Sequence, residues 1–145
     1  MTKEELINTL SDIIQNYIIQ YYPIEKQISD EQQKDCYAAY LLSIKLNKKE
    51  DTTLNDIIQI SLLHANDILE NNLDINDIIS QYPEDERFYW EQLIKAQVRK
   101  IWVVRNVYQY TKIKNEINNL SSDNIDNYYD YISKLQVSLI VFPNL

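Results

Sequence analysis

Glycine is absent from all 145 residues of this chain. At an average usage near 7%, a chain of this length would hold about ten. Glycine supplies positive φ and lets a backbone approach a ligand closely. Its absence removes the Walker-A loop, the dinucleotide fingerprint, the nucleophile elbow and the kinase phosphate lid. An AT-rich genome accounts for much of this, because the abundant Ile, Asn, Lys and Tyr are read from AT-rich codons. The chemical consequence is the same for either origin.

Other shortages narrow the field further. The single cysteine, Cys36, cannot close an internal disulfide, so a cytoplasmic setting is the default. With one histidine as well, a structural zinc site has no ligand set. No motif calls for a cofactor. The acidic, polar start Met1-Thr2-Lys3-Glu4-Glu5 lacks the basic and apolar regions of a secretory leader. No run approaches the ~20 apolar residues of a spanning helix, and Leu139-Ile140-Val141-Phe142 is far too short. No membrane association is expected.

What is present reads as helix almost throughout. Hydrophobic residues make up 45% of the chain, enough to bury a core in one domain spanning 1–145. Leu6, Ile7, Leu10, Ile13, Ile14, Tyr17, Ile18 and Tyr21 share one face. Thr2 and Glu5 fit a capping box before it, and Pro23 stops it. A second helix is expected from Ser29 or Asp30, with Cys36, Tyr37, Tyr40, Leu41 and Ile44 inward. A third opens at Thr52 or Thr53, and its stripe is Leu54, Ile57, Ile58, Ser61, Leu62, Ala65, Ile68 and Leu69. It fades at Asn71-Asn72, where asparagine can take the left-handed cap usually given to glycine. A short fourth helix follows Asp74 and ends at Pro83, carrying Ile75, Ile78, Ile79 and Tyr82.

No proline or strong turn signal interrupts Glu84 through Asn118. Unbroken, that helix would span roughly 50 Å at 1.5 Å per residue. Ile101, Trp102, Val103 and Val104 point in four directions around its axis, the mark of a buried central helix. A last helix runs from Ser122 to about Val137, with Ile125, Tyr128, Tyr129, Ile132 and Leu135 inward. The expected fold is an all-α single-domain bundle of about six helices around a long central helix, 84–119.

Charge is distributed unevenly. Residues 1–86 hold 17 acids and 6 bases, and residues 87–145 hold 5 acids and 8 bases, within a total of −8. Between 87 and 114 the bases are Arg87, Lys95, Arg99, Lys100, Arg105, Lys112 and Lys114, against Glu91 alone. Phe88, Tyr89, Trp90, Trp102, Tyr108 and Tyr110 interleave with them. Cations with stacking aromatics grip single-stranded nucleic acid, and Arg87, Lys95, Arg99, Lys100 and Arg105 would do so here. Against that reading, the bases scatter around the helix, as they would in the hub of an acidic bundle.

Three weaker constellations remain. His64, with Asp67 three residues on, could act in acid–base chemistry, or simply make a local hydrogen bond at the edge of a core. Asp67-x-x-Glu70 and Asp74-x-x-Asp77 have the spacing of helical carboxylates that share a divalent cation. They equally fit a solvated face and a helix cap. Cys36 lies near a helix start, where an exposed thiol would be acidified, but it also sits on a hydrophobic face.

The twelve tyrosines suit surfaces half dry and half wet. Tyr21-Tyr22 and Tyr128-Tyr129-Tyr131 cannot all face one core, and Tyr21, Tyr22, Tyr128 and Tyr131 are the candidate partner contacts. The sequence therefore reads as a non-enzymatic protein–protein interaction module: an adaptor, an inhibitor or immunity-type binder, or a small subunit of an assembly. It would act through acidic helix faces and exposed tyrosines, with a protein partner or a second copy. A nucleic-acid-binding subunit using 87–114 is the alternative, and a metal-dependent hydrolase built on helical carboxylates is a further one.

Overall fold

The computed structural model describes residues 1–21, 41–42 and 54–145. Within them the chain is all-α. Five helices are described: α1 (Lys3–Tyr21), α2 (Leu54–Asn71), α3 (Ile75–Ile79), α4 (Glu84–Asn118) and α5 (Tyr128–Ser138). The helix expected from Ser29 or Asp30, with Cys36, and the candidate contact Tyr22 lie outside the described residues.

Local chemistry sets the helix ends. Thr2 and Glu5 form the expected reciprocal cap: the Thr2 N–H donates to Glu5 Oε2 at 3.3 Å, and the Glu5 N–H to Thr2 Oγ1 at 3.2 Å. Asn72 turns the chain after α2 with φ 54, the left-handed conformation that asparagine tolerates in place of glycine. Asp74 caps α3 by accepting from the Asn76 N–H at 2.9 Å. Three acids, Glu84, Asp85 and Glu86, open α4 where the helix dipole favours them.

The long helix is continuous over Glu84–Asn118, so the stretch 101–104 is helix and not strand. Its surroundings change along its length. No residue from 89 to 103 is exposed, whereas Val104, Val107, Tyr108, Thr111 and Lys112 are. The expectation of burial on all sides over 101–104 thus holds through Val103 and fails at Val104, which is 67% exposed. Beyond that point α4 is amphipathic, with Asn106, Ile113 and Ile117 inward.

Contacts group the chain into two compact units, Met1–Tyr22 with Trp102–Phe142 and Pro23–Ile101 with Pro143–Leu145. In the first, Leu6 and Leu10 of α1 pack with Ile113 and Ile117 of α4, Ile125, and Leu135 of α5. The N-terminus is pinned there by backbone bonds from Lys3 N–H to the Asp123 carbonyl (2.9 Å) and from Ile125 N–H to the Met1 carbonyl (2.8 Å). Lys3 Nζ donates to the Asn118 and Leu120 carbonyls, capping the negative end of α4.

The same unit holds its extended tail by polar contacts. Asn106, fully buried, accepts the Ile140 N–H on Oδ1 at 2.8 Å. The Ile140 carbonyl accepts from Trp102 Nε1 at 2.6 Å and the Tyr17 hydroxyl at 3.0 Å. Tyr21 stacks on Phe142 at 5.2 Å and meets Trp102 edge-on at 5.6 Å.

In the second unit, Ile57, Ala65 and Ile68 of α2 pack with Ile75 and Ile78 of α3 and with Trp90, Leu93 and Val98 of α4, joined by Leu42. Two inward expectations fail. Leu54, at the first position of α2, is 45% exposed, and Tyr129, in the first turn of α5, is 70% exposed. Each sits in the first turn of its helix. Ile125 is buried as expected, but precedes α5 instead of lying within it.

Candidate interaction surface

None of the five cations proposed for nucleic acid stands apart from the fold. Arg87 Nε donates to the Tyr82 carbonyl at 2.9 Å and its Nη2 to the Ser80 carbonyl at 3.2 Å, so it caps the end of α3. Lys95 pairs with Glu91 one turn earlier at 3.0 Å. Arg99, Lys100 and Arg105 are half-buried, and each holds an interaction within the chain.

His64 makes a local contact of an unexpected kind. Its Nε2 lies 2.6 Å from the Tyr82 hydroxyl, and both rings pack on Trp90: Tyr82 stacked at 4.5 Å, His64 edge-on at 6.4 Å. Trp90 Nε1 in turn donates to Glu86 Oε1 at 3.4 Å. Burial holds the His64 pKa below its ordinary value, with Asp67 opposing weakly. Burial first, and then the Glu86 charge, raise that of Tyr82. Glu86, in the first turn of α4, is thereby buried at 3% exposure.

The carboxylates do not converge. Asp74 caps α3, Asp77 is exposed beside it, and Asp67 accepts from Asn71 Nδ2 at 3.5 Å. Among the described residues, no three of His, Cys, Asp and Glu come together in an arrangement that could hold a metal ion. Two open clefts have volumes of about 390 Å³ each. One lies along the α4–α5 connection, lined by Ser121, Asn124, Asp126 and Asp130 among others. The other lies between α1 and α5, lined by Ile13, Asn16, Tyr17, Gln20, Gln136 and Leu139.

The tyrosines divide by environment. Tyr21 packs with Tyr17, Trp102 and Phe142 and is nonetheless 44% exposed, as expected of a candidate contact. Tyr128 and Tyr131 are half-buried against the core of the first unit. Among the described tyrosines the most exposed are Tyr129 and Tyr108, at 70% and 64%. Tyr108 does not stand alone. Helical spacing places it beside Val104, Val107 and Thr111 on one side of α4. Val107 is 41% exposed, and the Thr111 hydroxyl is occupied by the Val107 carbonyl at 2.9 Å. The outer face of α4 therefore presents two valines, a tyrosine and an internally bonded threonine where a soluble helix ordinarily carries charge.

No protein-family model matches the chain, and no curated protein or solved structure shows significant similarity to it. Among the described residues, no helix is long and apolar enough to cross a membrane.

Proposed function

We propose that this protein is a non-enzymatic interaction module, working in the cytoplasm, that docks another protein on the outer face of α4. The observation that carries this reading is the exposed row Val104, Val107 and Tyr108. Exposed apolar residues scattered singly need no explanation, but neighbours on one helix face are how a helical surface is read by a partner. Tyr108 is the anchor, since tyrosine supplies rigid, amphipathic contact area at small entropic cost. The sequence favoured Tyr21, Tyr22, Tyr128 and Tyr131 for this role. Tyr128 and Tyr131 are half-buried, and Tyr21, although exposed, is engaged with Tyr17, Trp102 and Phe142, so the emphasis moves to Tyr108.

The reading is tested by native extract and purified protein together. Chemical crosslinking and solution mass measurement should show a defined complex for the wild type and its loss in the double variant Val104→Gln, Tyr108→Gln. A monomer that crosslinks to nothing, or a complex indifferent to the double variant, would overturn it.

A further inference from the structure

The exposed row on α4 has a charged border. Helix geometry puts Arg105 and Lys112 along one edge of the face and Lys114 along the other. Lys112 is exposed, while Lys114 and Arg105 are half-buried, Arg105 already holding an interaction within the chain. The one acid on this half of the helix, Glu116, is bonded to Lys134 at 2.5 Å. The face is thus an uncharged centre between cationic margins.

We propose that the face Val104–Thr111 binds an amphipathic helix of a partner protein whose apolar stripe is bordered by Asp and Glu. This rests on the interaction-module reading and specifies the partner's chemistry. Charge excludes the simplest occupant, a second copy. A two-fold contact pairs a patch with itself. With the helices antiparallel, the Arg105–Lys112 edge meets its own image; with them parallel, it meets the Lys114 edge. Both arrangements oppose like charges, whereas acidic margins complement both edges and steer association. Nucleic acid fits the margins but not the centre, because valine side chains offer phosphate nothing.

Neither folding nor composition explains the apolar centre. Valine and threonine are weak helix formers, so at exposed positions they lower helix stability relative to Lys, Gln or Glu. Valine codons begin with G, so the bias that raises Ile, Asn, Lys and Tyr does not supply them. All six valines lie beyond residue 97, and four of them, Val104, Val107, Val137 and Val141, are exposed. The face covers two helical turns, roughly 11 Å, which suits a small, transient contact.

The test uses the full chain and labelled synthetic helices of roughly 18 residues, long enough to hold helical structure. One carries a leucine stripe bordered by Glu, a second the same stripe bordered by Lys, and a third has Glu borders with Ser replacing Leu. Fluorescence anisotropy should show the first binding about tenfold or more tighter than either other. Val104→Gln with Tyr108→Gln should weaken it by about tenfold while leaving the helical circular dichroism unchanged. Lys112→Glu with Lys114→Glu should weaken the Glu-bordered helix and strengthen the Lys-bordered one.

Equal or tighter binding of the Lys-bordered helix would overturn the acidic assignment and leave the docking face standing. So would a dimer that Val104→Gln and Tyr108→Gln dissociate. Binding unaffected by those two substitutions, or single-stranded DNA retained in their place, would overturn the proposal outright. Failure of all three helices, alongside a monomer that crosslinks to nothing in extract, would remove the interaction reading as well.

Discussion

The Asn106 side chain engages both polar atoms of the Ile140 backbone. Its Oδ1 accepts the Ile140 N–H at 2.8 Å, and its Nδ2 lies 3.5 Å from the Ile140 carbonyl. Thirty-four residues separate the pair, and Asn106 is completely buried. An extended segment has no helical partner for its own N–H and C=O groups, and burial makes those groups costly to leave unmet. The amide supplies a partner for each.

Replacing Asn106 by Leu should therefore cost about 1–3 kcal/mol, since it keeps the volume but strands a buried N–H. Tyr17→Phe removes one of several donors to the same carbonyl and should cost about 0.5–1.5 kcal/mol. Urea unfolding followed by circular dichroism measures both. A loss for Asn106→Leu no greater than that for Tyr17→Phe would show that the amide is not what holds the tail.

Asn72 gives a test with opposite outcomes. Its φ of 54 suits glycine at least as well as asparagine, while a Cβ-branched residue meets the steric cost of the left-handed region. Asn72→Gly should leave the melting temperature unchanged or raise it, and Asn72→Val should destabilise by about 1–2 kcal/mol. Equal stability of the two variants would contradict the geometry.

The pH dependence follows from His64. Its folded-state pKa is depressed below the ordinary 6.5, chiefly by burial. The unfolded chain therefore binds the proton more readily than the folded one. The contribution is complete above about pH 6.5 and is withdrawn as pH falls below that value toward the folded-state pKa. Thermal melts between about pH 5 and 8 should show a fall on the acid side that His64→Gln reduces. Identical profiles for wild type and variant would remove His64 as a contributor.

The outer face of α4 should behave differently from its inner one. Val104→Gln and Tyr108→Gln should each change stability by no more than about 0.5 kcal/mol, whereas Trp102→Ala should cost about 3–5 kcal/mol. Urea melts settle the comparison. A large loss at Val104 would mean that the valine serves folding.

Features decided by neighbours in sequence were legible in advance. The Thr2–Glu5 cap, the Asp74 cap and the left-handed Asn72 each depend on residues within a few positions. The uninterrupted span 84–118 needed only the absence of proline and glycine. Features decided by distant partners were not. A run such as Ile101-Trp102-Val103-Val104 announces a helix but not which side is covered, so the exposure of Val104 escaped notice. The basic run 87–114 was visible, but not that Arg87 folds back onto the Ser80 and Tyr82 carbonyls of the turn before α4. Asn106, an ordinary polar residue on a helix, gave no sign of its partner at 140.

The change in surroundings between Val103 and Val104 also sorts positions by what restrains them. From 89 to 103 every side chain is at least partly covered, so substitution there is judged by folding. At 104, 107, 108 and 111 that constraint lifts, and drift should erode these positions toward the Lys, Asn and Ile in which this chain is rich. A valine or tyrosine persisting there among descendants would be the imprint of a partner and not of the fold.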